Sequence, residues 1–154
     1  MFFFIHVNKY PDLHISAIFR IFAIKDMKAI LAVNNLGFIG LNGGLPWRCK
    51  ADFQHFKTLT IGGTLLVGHN THQTLPPLKD RAIIVDQRGN ELDLEALSRI
   101  DWCIGGKKTY EKYAPYFSEL HISHINDNSL GDTMQPDWFS LNPLCKIFNY
   151  HFDI

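Results

Sequence analysis

The chain has 154 residues, enough for one domain with a sizeable core, and 46% of them are hydrophobic. Fifteen basic residues balance fifteen acidic ones with no basic stripe, which excludes an electrostatically driven partner such as nucleic acid or an anionic membrane. Cys49, Cys103 and Cys145 are widely spaced and lack a C-x-x-C pair, so they fit small buried hydrophobes in a reducing cytoplasm rather than a zinc site or disulfide framework.

Residues 1–26, "MFFFIHVNKYPDLHISAIFRIFAIKD", are apolar but interrupted by Lys9, Pro11, Asp12, Arg20 and Lys25. No run reaches the ~18 apolar residues that a bilayer span requires, and neither a basic leader nor a small-residue cleavage site frames the segment. It reads as an N-terminal extension, with Met27 a candidate true start of a folded domain over 27–154. A strand follows at "KAILAVN" (28–34), then the irregular glycine-rich loop "NNLGFIGLNGGLPW" (34–47). A helix over 51–60 carries Phe53, Phe56 and Leu59 on one side. "TLLVG" (64–68) is a buried strand leading into a polar helical turn at 69–75, and "AIIVD" (82–86) is a third strand. A helix at 92–99, a strand at 101–105 and a helix at 107–117, cut short at Pro115, come next. The alternating segments 119–125 and 145–152 close the chain as strands. Strands alternating with helices indicate an α/β domain with a mostly parallel central sheet. Ligands in such sheets sit at the carboxyl ends of the strands. That rule gathers the loop after residue 34, the turn after Gly68 and the turn after Gly105 around one cleft.

Asp52 raises the sharpest question, because Trp47, Phe53 and Phe56 surround it in sequence. A carboxylate among rings either compensates the helix N-terminus from the solvent side, worth about 0.3–1 kcal/mol, or waits in a pocket for a partner. The junctions "VGHNTH" (67–72) and "IGGKKTY" (104–110) suit an anion, since glycine admits a phosphate to the backbone and helix-start N–H groups point toward it. Each glycine equally fits a tight turn. Neither junction matches G-x-G-x-x-G. Lys107 and Lys108 oppose the helix dipole unless an anion lies nearby, or they are simply solvated. His69 and His72 lack a third ligand, so no metal is expected, and no G-x-S-x-G elbow supports a serine nucleophile.

Several motifs in register resemble the dihydrofolate reductase family. "GLPW" followed by "ADFQHFK" resembles its loop-and-helix signature, "TLLVGHNT" its strand ending in Gly-Arg-x-Thr, and "CIGGKKTYE" its Ile-Gly-Gly segment and following helix. "LHISHI" and "GDTMQPDW" resemble the next strand and the Gly-Asp-Thr segment, and the match runs from Met27 to about Trp138. The resemblance implies a mixed, mostly parallel sheet flanked by helices, with a C-terminal hairpin here shortened and turning near Asn142-Pro143. It implies hydride transfer from NADPH, with NADH a second candidate, to C6 of dihydrofolate and protonation at N5 by way of water.

Residue by residue, the resemblance makes Asp52 the catalytic carboxylate that binds the pterin 2-amino group and N3 side. Ile30, Ala32, Phe53, Phe56 and Leu75 would line the folate pocket, Arg81 would hold the substrate's α-carboxylate, and Ile104 and Tyr110 would flank the nicotinamide. Ser123 falls where the family often has Thr bonded to the aspartate. Ile39, Gly40, Gly68, His69, Asn70, Thr71, Gly105, Gly106, Lys107, Lys108 and Thr109 would contact cofactor, and Gly40 to Leu45 would form the mobile loop. The partner is a small-molecule substrate, and a monomer is expected. Three positions depart from the pattern: His69 replaces an Arg, His72 an aromatic, and Asp86 a Ser near the cofactor 2′-phosphate, with Arg88 able to restore charge. Alternatives on the same fold are the pyrimidine reductase of riboflavin synthesis and a non-catalytic binding or structural protein.

Overall fold

The computed structural model describes residues 26–87, 89 and 91–154. Residues 1–25 of the N-terminal extension, Arg88 and Asn90 therefore lie outside the described residues. In chain order the strands are β1 (Met27–Asn34), β2 (Phe38–Gly40), β3 (Thr64–Gly68), β4 (Ala82–Asp86), β5 (Trp102–Cys103), β6 (Phe117–Asn126), β7 (Thr133–Met134) and β8 (Lys146–Asp153). The helices are α1 (Lys50–Thr60), α2 (His69–Thr74), α3 (Leu94–Arg99), α4 (Lys107–Tyr113) and α5 (Trp138–Leu141). A six-stranded sheet runs in the order β4-β3-β5-β1-β6-β8, and each of its pairings is parallel. This is the expected parallel α/β architecture.

Both faces of the sheet are covered, which explains why its central strands are continuous apolar runs. On one face Ile30, Leu65 and Trp102 pack against Phe56 and Leu59 of α1. On the other, Leu31, Leu66 and Cys103 pack with Leu97 of α3 and Tyr113 of α4. Leu65, Leu66 and Phe117 are fully buried, and each stabilises the fold by about 1.5–3 kcal/mol relative to an exposed side chain. The helix expected at 92–99 starts at Leu94 because the Asp93 carboxylate accepts a hydrogen bond from the Ala96 N–H at 2.8 Å. No helix among the described residues is long and apolar enough to cross a membrane.

Three features differ from the sequence-based expectation. The loop over 34–47 contains β2, which pairs antiparallel with β7. Asn34 shapes its entry: the Asn34 side-chain oxygen accepts from the N–H groups of Leu36 (3.1 Å) and Phe38 (3.0 Å). The strand expected at 101–105 contracts to Trp102–Cys103. Finally, the closing hairpin does not form, because β8 runs parallel to β6 from Glu119↔Lys146 to Asn126↔Asp153. Asn142 supplies the physical reason. Its buried side-chain N–H group donates to the carbonyls of Ala114 (2.7 Å) and Phe117 (2.9 Å). The chain is thus pinned where β6 begins before β8 starts, and a strand leaving from there must run alongside β6 in the same direction.

Candidate active site

The short β5 creates the site. It pairs with β1 only at Lys28↔Trp102 and Ala29↔Cys103, and with β3 only at Leu65↔Trp102 and Leu66↔Cys103. β1 continues to Asn34 and β3 to Gly68, so the sheet splits beyond Cys103. Groups entering α4 take up the backbone bonds left open by the split. Tyr110 Oη donates to the Ile30 carbonyl at 2.6 Å, Ile104 N–H to the Leu66 carbonyl at 2.9 Å, and Gly68 N–H to the Gly105 carbonyl at 2.6 Å. The resulting cleft has a volume of about 1430 Å³. That exceeds the ~300–1,000 Å³ typical of a single small-molecule site and admits two ligands side by side.

Asp52 sits at one end, in the first turn of α1, and is only 8% exposed. Burial pushes its carboxyl above the usual carboxylate range, opposed by a hydrogen bond with Ser123 of β6 and by attraction to His55. Of the two sequence readings of Asp52, the solvent-side one does not hold: the residue stands in the first turn of α1, but its side chain is enclosed. Ile30, Ala32, Phe53, Phe56, Leu75, Ile104 and Tyr110 line the same cleft. Trp47 lines the same wall and is 8% exposed.

The other end is built from two helix starts. α2 follows Gly68 and α4 follows Gly106; neither has a side-chain cap or an acid in its first turn. His69, Asn70, Thr71, Lys107, Lys108 and Thr109 line this end together with Gly68 and Gly106. A Cβ on Gly68 would stand 2.5 Å from Thr109 Oγ1. Ile39 and Gly40 of β2 complete the wall, and Gly43, Gly44 and Leu45 border it. That loop is tied down by Asn42 N–H donating to the Asp132 carboxylate (2.9 Å) and Thr74 Oγ1 donating to the Gly43 carbonyl (2.6 Å).

Three expected site residues do not line the cleft. Arg81 turns its guanidinium to Thr60 Oγ1 (3.2 Å) and the Lys79 carbonyl (3.1 Å), and it stacks 5.7 Å from the Phe56 ring centroid. Ser123 is 1% exposed and reaches the site only through Asp52. Gly105 contributes its carbonyl to Gly68 rather than an open surface. Sequence reasoning assigned no site role to Thr74, Asp132, Thr133, Met134 or Lys112, which do line it. Lys112 lies one turn beyond Lys108, a spacing that shares a helix face, and that was the available signal. Its Nζ is 3.3 Å from the Asp86 carboxylate, so Asp86 is an ion-paired group. Among the described residues, no cluster of three or more His, Cys, Asp or Glu could hold a metal.

Comparison with known proteins decides the family. The dihydrofolate reductase family profile matches residues 26–142. This chain belongs to the dihydrofolate reductase family. Dihydrofolate reductase type 3 of Salmonella typhimurium is 33% identical over 129 residues, covering 73% of this chain and 78% of the relative. The dihydrofolate reductase of Mycoplasma pneumoniae is 30% identical over 146 residues, covering 80% and 91%. Among solved structures, a dihydrofolate reductase from Enterococcus faecalis complexed with NADP(H) and RAB-propyl superposes with a TM-score of 0.64. It is 28% identical, and the match covers 73% of this chain and 79% of that one.

Proposed function

We propose that the protein reduces 7,8-dihydrofolate to 5,6,7,8-tetrahydrofolate with NADPH. The observation that carries this reading is one cleft with a buried carboxylate at one end and cations beside uncapped helix starts at the other. The cofactor fits the second end. Close approach at Gly68 and Gly106 leaves no room for a Cβ, and Lys107 and Lys108 supply positive charge at a helix start that no side chain caps. NADPH, when bound, supplies the hydride delivered to C6.

The chain's own residues orient and polarise. Asp52 accepts from the paired N–H donors of the pterin, a match that only a two-oxygen acceptor makes. Its negative charge favours a proton at N5, which arrives through water. Ile30, Phe53 and Phe56 exclude bulk water and so strengthen that field. Ser123 holds Asp52 in place from behind. The folded unit responsible is residues 27–154, and a chain beginning at Met27 is expected to keep full turnover when measured beside the 154-residue chain.

Arg81 packs against Phe56, which lines the cleft, and its role is to take the substrate's α-carboxylate when its guanidinium leaves Thr60. Arg81→Ala is expected to raise KM for dihydrofolate by about tenfold to a hundredfold, the loss of one charged hydrogen bond, with kcat little changed. A fall in kcat at constant KM would rule out that role. For the cofactor, Asp86 opposes a 2′-phosphate while Lys112, already paired with it, restores part of the balance. NADPH is therefore expected to be preferred over NADH, but by less than about a thousandfold in kcat/KM, or ~4 kcal/mol. Both cofactors on one preparation give the ratio directly, and a larger preference contradicts this view of Asp86.

A further inference from the structure

β8 ends the six-stranded sheet, and its outer edge is open. It pairs with β6 without interruption from Glu119↔Lys146 to Asn126↔Asp153, and among the described residues no strand lies beyond it. In a parallel ladder, alternate residues turn both backbone groups toward one neighbour. Half of the eight residues of β8 therefore offer N–H and C=O groups outward. The usual guards of an edge are missing: β8 has no proline, its register has no bulge, and its one Lys stands at the first position.

The sequence of β8 is nearly a palindrome about Tyr150. Phe148, Tyr150 and Phe152 alternate along one face and are half-buried. Phe148 stacks 4.5 Å from His121, and Tyr150 and Phe152 lie 4.2 Å and 5.4 Å from His55. Asn149 and His151 alternate on the other face and are exposed. Both meet His124 of β6, through a 2.8 Å hydrogen bond and a stacked ring at 4.9 Å. Lys146 stands at one end of the strand and Asp153 at the other. Two copies aligned antiparallel thus bring opposite charges together at each end, whereas a parallel alignment brings like charges together.

We propose that β8 is an interface between two copies of this chain, which pair antiparallel about a two-fold axis at Tyr150 and join their sheets into one. A two-fold dimer takes the place of the monomer expected from the sequence. Such an interface is self-complementary and closed, so association stops at the dimer. Opposite residues of a continued sheet share a face, which restricts the register. Centred on Tyr150, Phe148 meets Phe152 of the second copy, Tyr150 meets its own counterpart, and Asn149 meets His151. Aromatic faces aromatic and polar faces polar. Centred one residue earlier, on Asn149, Ile147 meets His151 and Lys146 meets Phe152, a poorer match. The outward residues of both strands supply about eight backbone hydrogen bonds, close to the ~10 of a typical interface.

Sedimentation equilibrium of the 154-residue chain over about 1–100 μM tests the pairing. The mass is expected to rise from 17.7 kDa to twice that value. Asn149→Lys combined with His151→Lys sets like charges opposite each other at both symmetry-related places. That variant should raise the dimer Kd by about tenfold or more. Asn149→Lys combined with His151→Glu sets opposite charges there and should restore the dimer. Both positions are exposed, and thermal melting confirms that each variant folds; if the double-Lys variant does not, the wild type and the Lys/Glu variant decide. A register centred on Asn149 sets the two Asn149→Lys side chains against each other in both variants, so neither would dimerise. A wild type that stays at monomer mass or grows beyond the dimer overturns the proposal. So does a folded double-Lys variant that dimerises as well as the wild type, or a Lys/Glu variant that does not dimerise. Slow amide exchange along β8 in a wild-type monomer would assign the edge to residues 1–25 instead.

Discussion

Asp52→Asn is expected to lower dihydrofolate turnover at neutral pH by about 10²–10⁴-fold, the range for loss of a positioned acid–base group. The amide still accepts a hydrogen bond but carries no charge to favour a proton at N5. Activity should return in part as the pH falls and free substrate becomes protonated. Stability should move the other way. Burial raises the folded-state carboxyl of Asp52 above its unfolded value, so its protonation favours the folded state. That contribution is fully present below the unfolded value and lost as pH rises through the folded one. At pH 7 the ionised group costs stability, and the Asn variant should melt at the same temperature or higher. A variant with wild-type rates, or one that is both inactive and unfolded, is inconsistent with this account of Asp52.

Gly105→Ala is expected to be the most damaging single-methyl change at the cofactor end. Gly105 has φ +107, a region that L side chains rarely adopt. An added Cβ would also stand 3.0–3.1 Å from the ring atoms of Tyr110. Tyr110 cannot retreat easily: it is 3% exposed, and its hydroxyl is bonded to the Ile30 carbonyl at 2.6 Å. Backbone strain and overpacking together should cost about 2–5 kcal/mol, lowering Tm by roughly 5–15 °C. Because the same residue's carbonyl accepts from Gly68 N–H, the junction before α2 should shift as well and NADPH binding should weaken. Thermal melting and NADPH fluorescence titration measure the two effects, and a variant unchanged in both would show that the junction is more pliable than its packing implies.

The elements that were legible in the sequence are those whose signal is local. β1, β3 and β4 are short apolar runs closed by polar or glycine residues, and Asp52 stood out because a charge among rings needs a reason. The contraction of β5 was not legible, because Trp102, Cys103 and Ile104 are all apolar and only pairing with β1 and β3 shows that the strand stops at Cys103. The direction of β8 depends on Asn142 reaching Ala114 and Phe117, a contact between distant segments that no periodicity reports. The same holds for the Lys112–Asp86 pair and for His55 against Tyr150, whose partners lie 26 and 95 residues away in the chain. Arg81 was placed by family pattern alone, and a pattern specifies position without saying which of two neighbouring acceptors its guanidinium takes.

A single-turnover reaction bears most directly on the central claim. Purified protein in excess is mixed with equimolar NADPH and dihydrofolate, and loss of reduced nicotinamide is followed by absorbance while the folate product is identified. The account predicts one NADPH oxidised for each tetrahydrofolate formed, at a rate that collapses in Asp52→Asn. Tight binding of both ligands by the wild-type protein with no hydride transferred would contradict it.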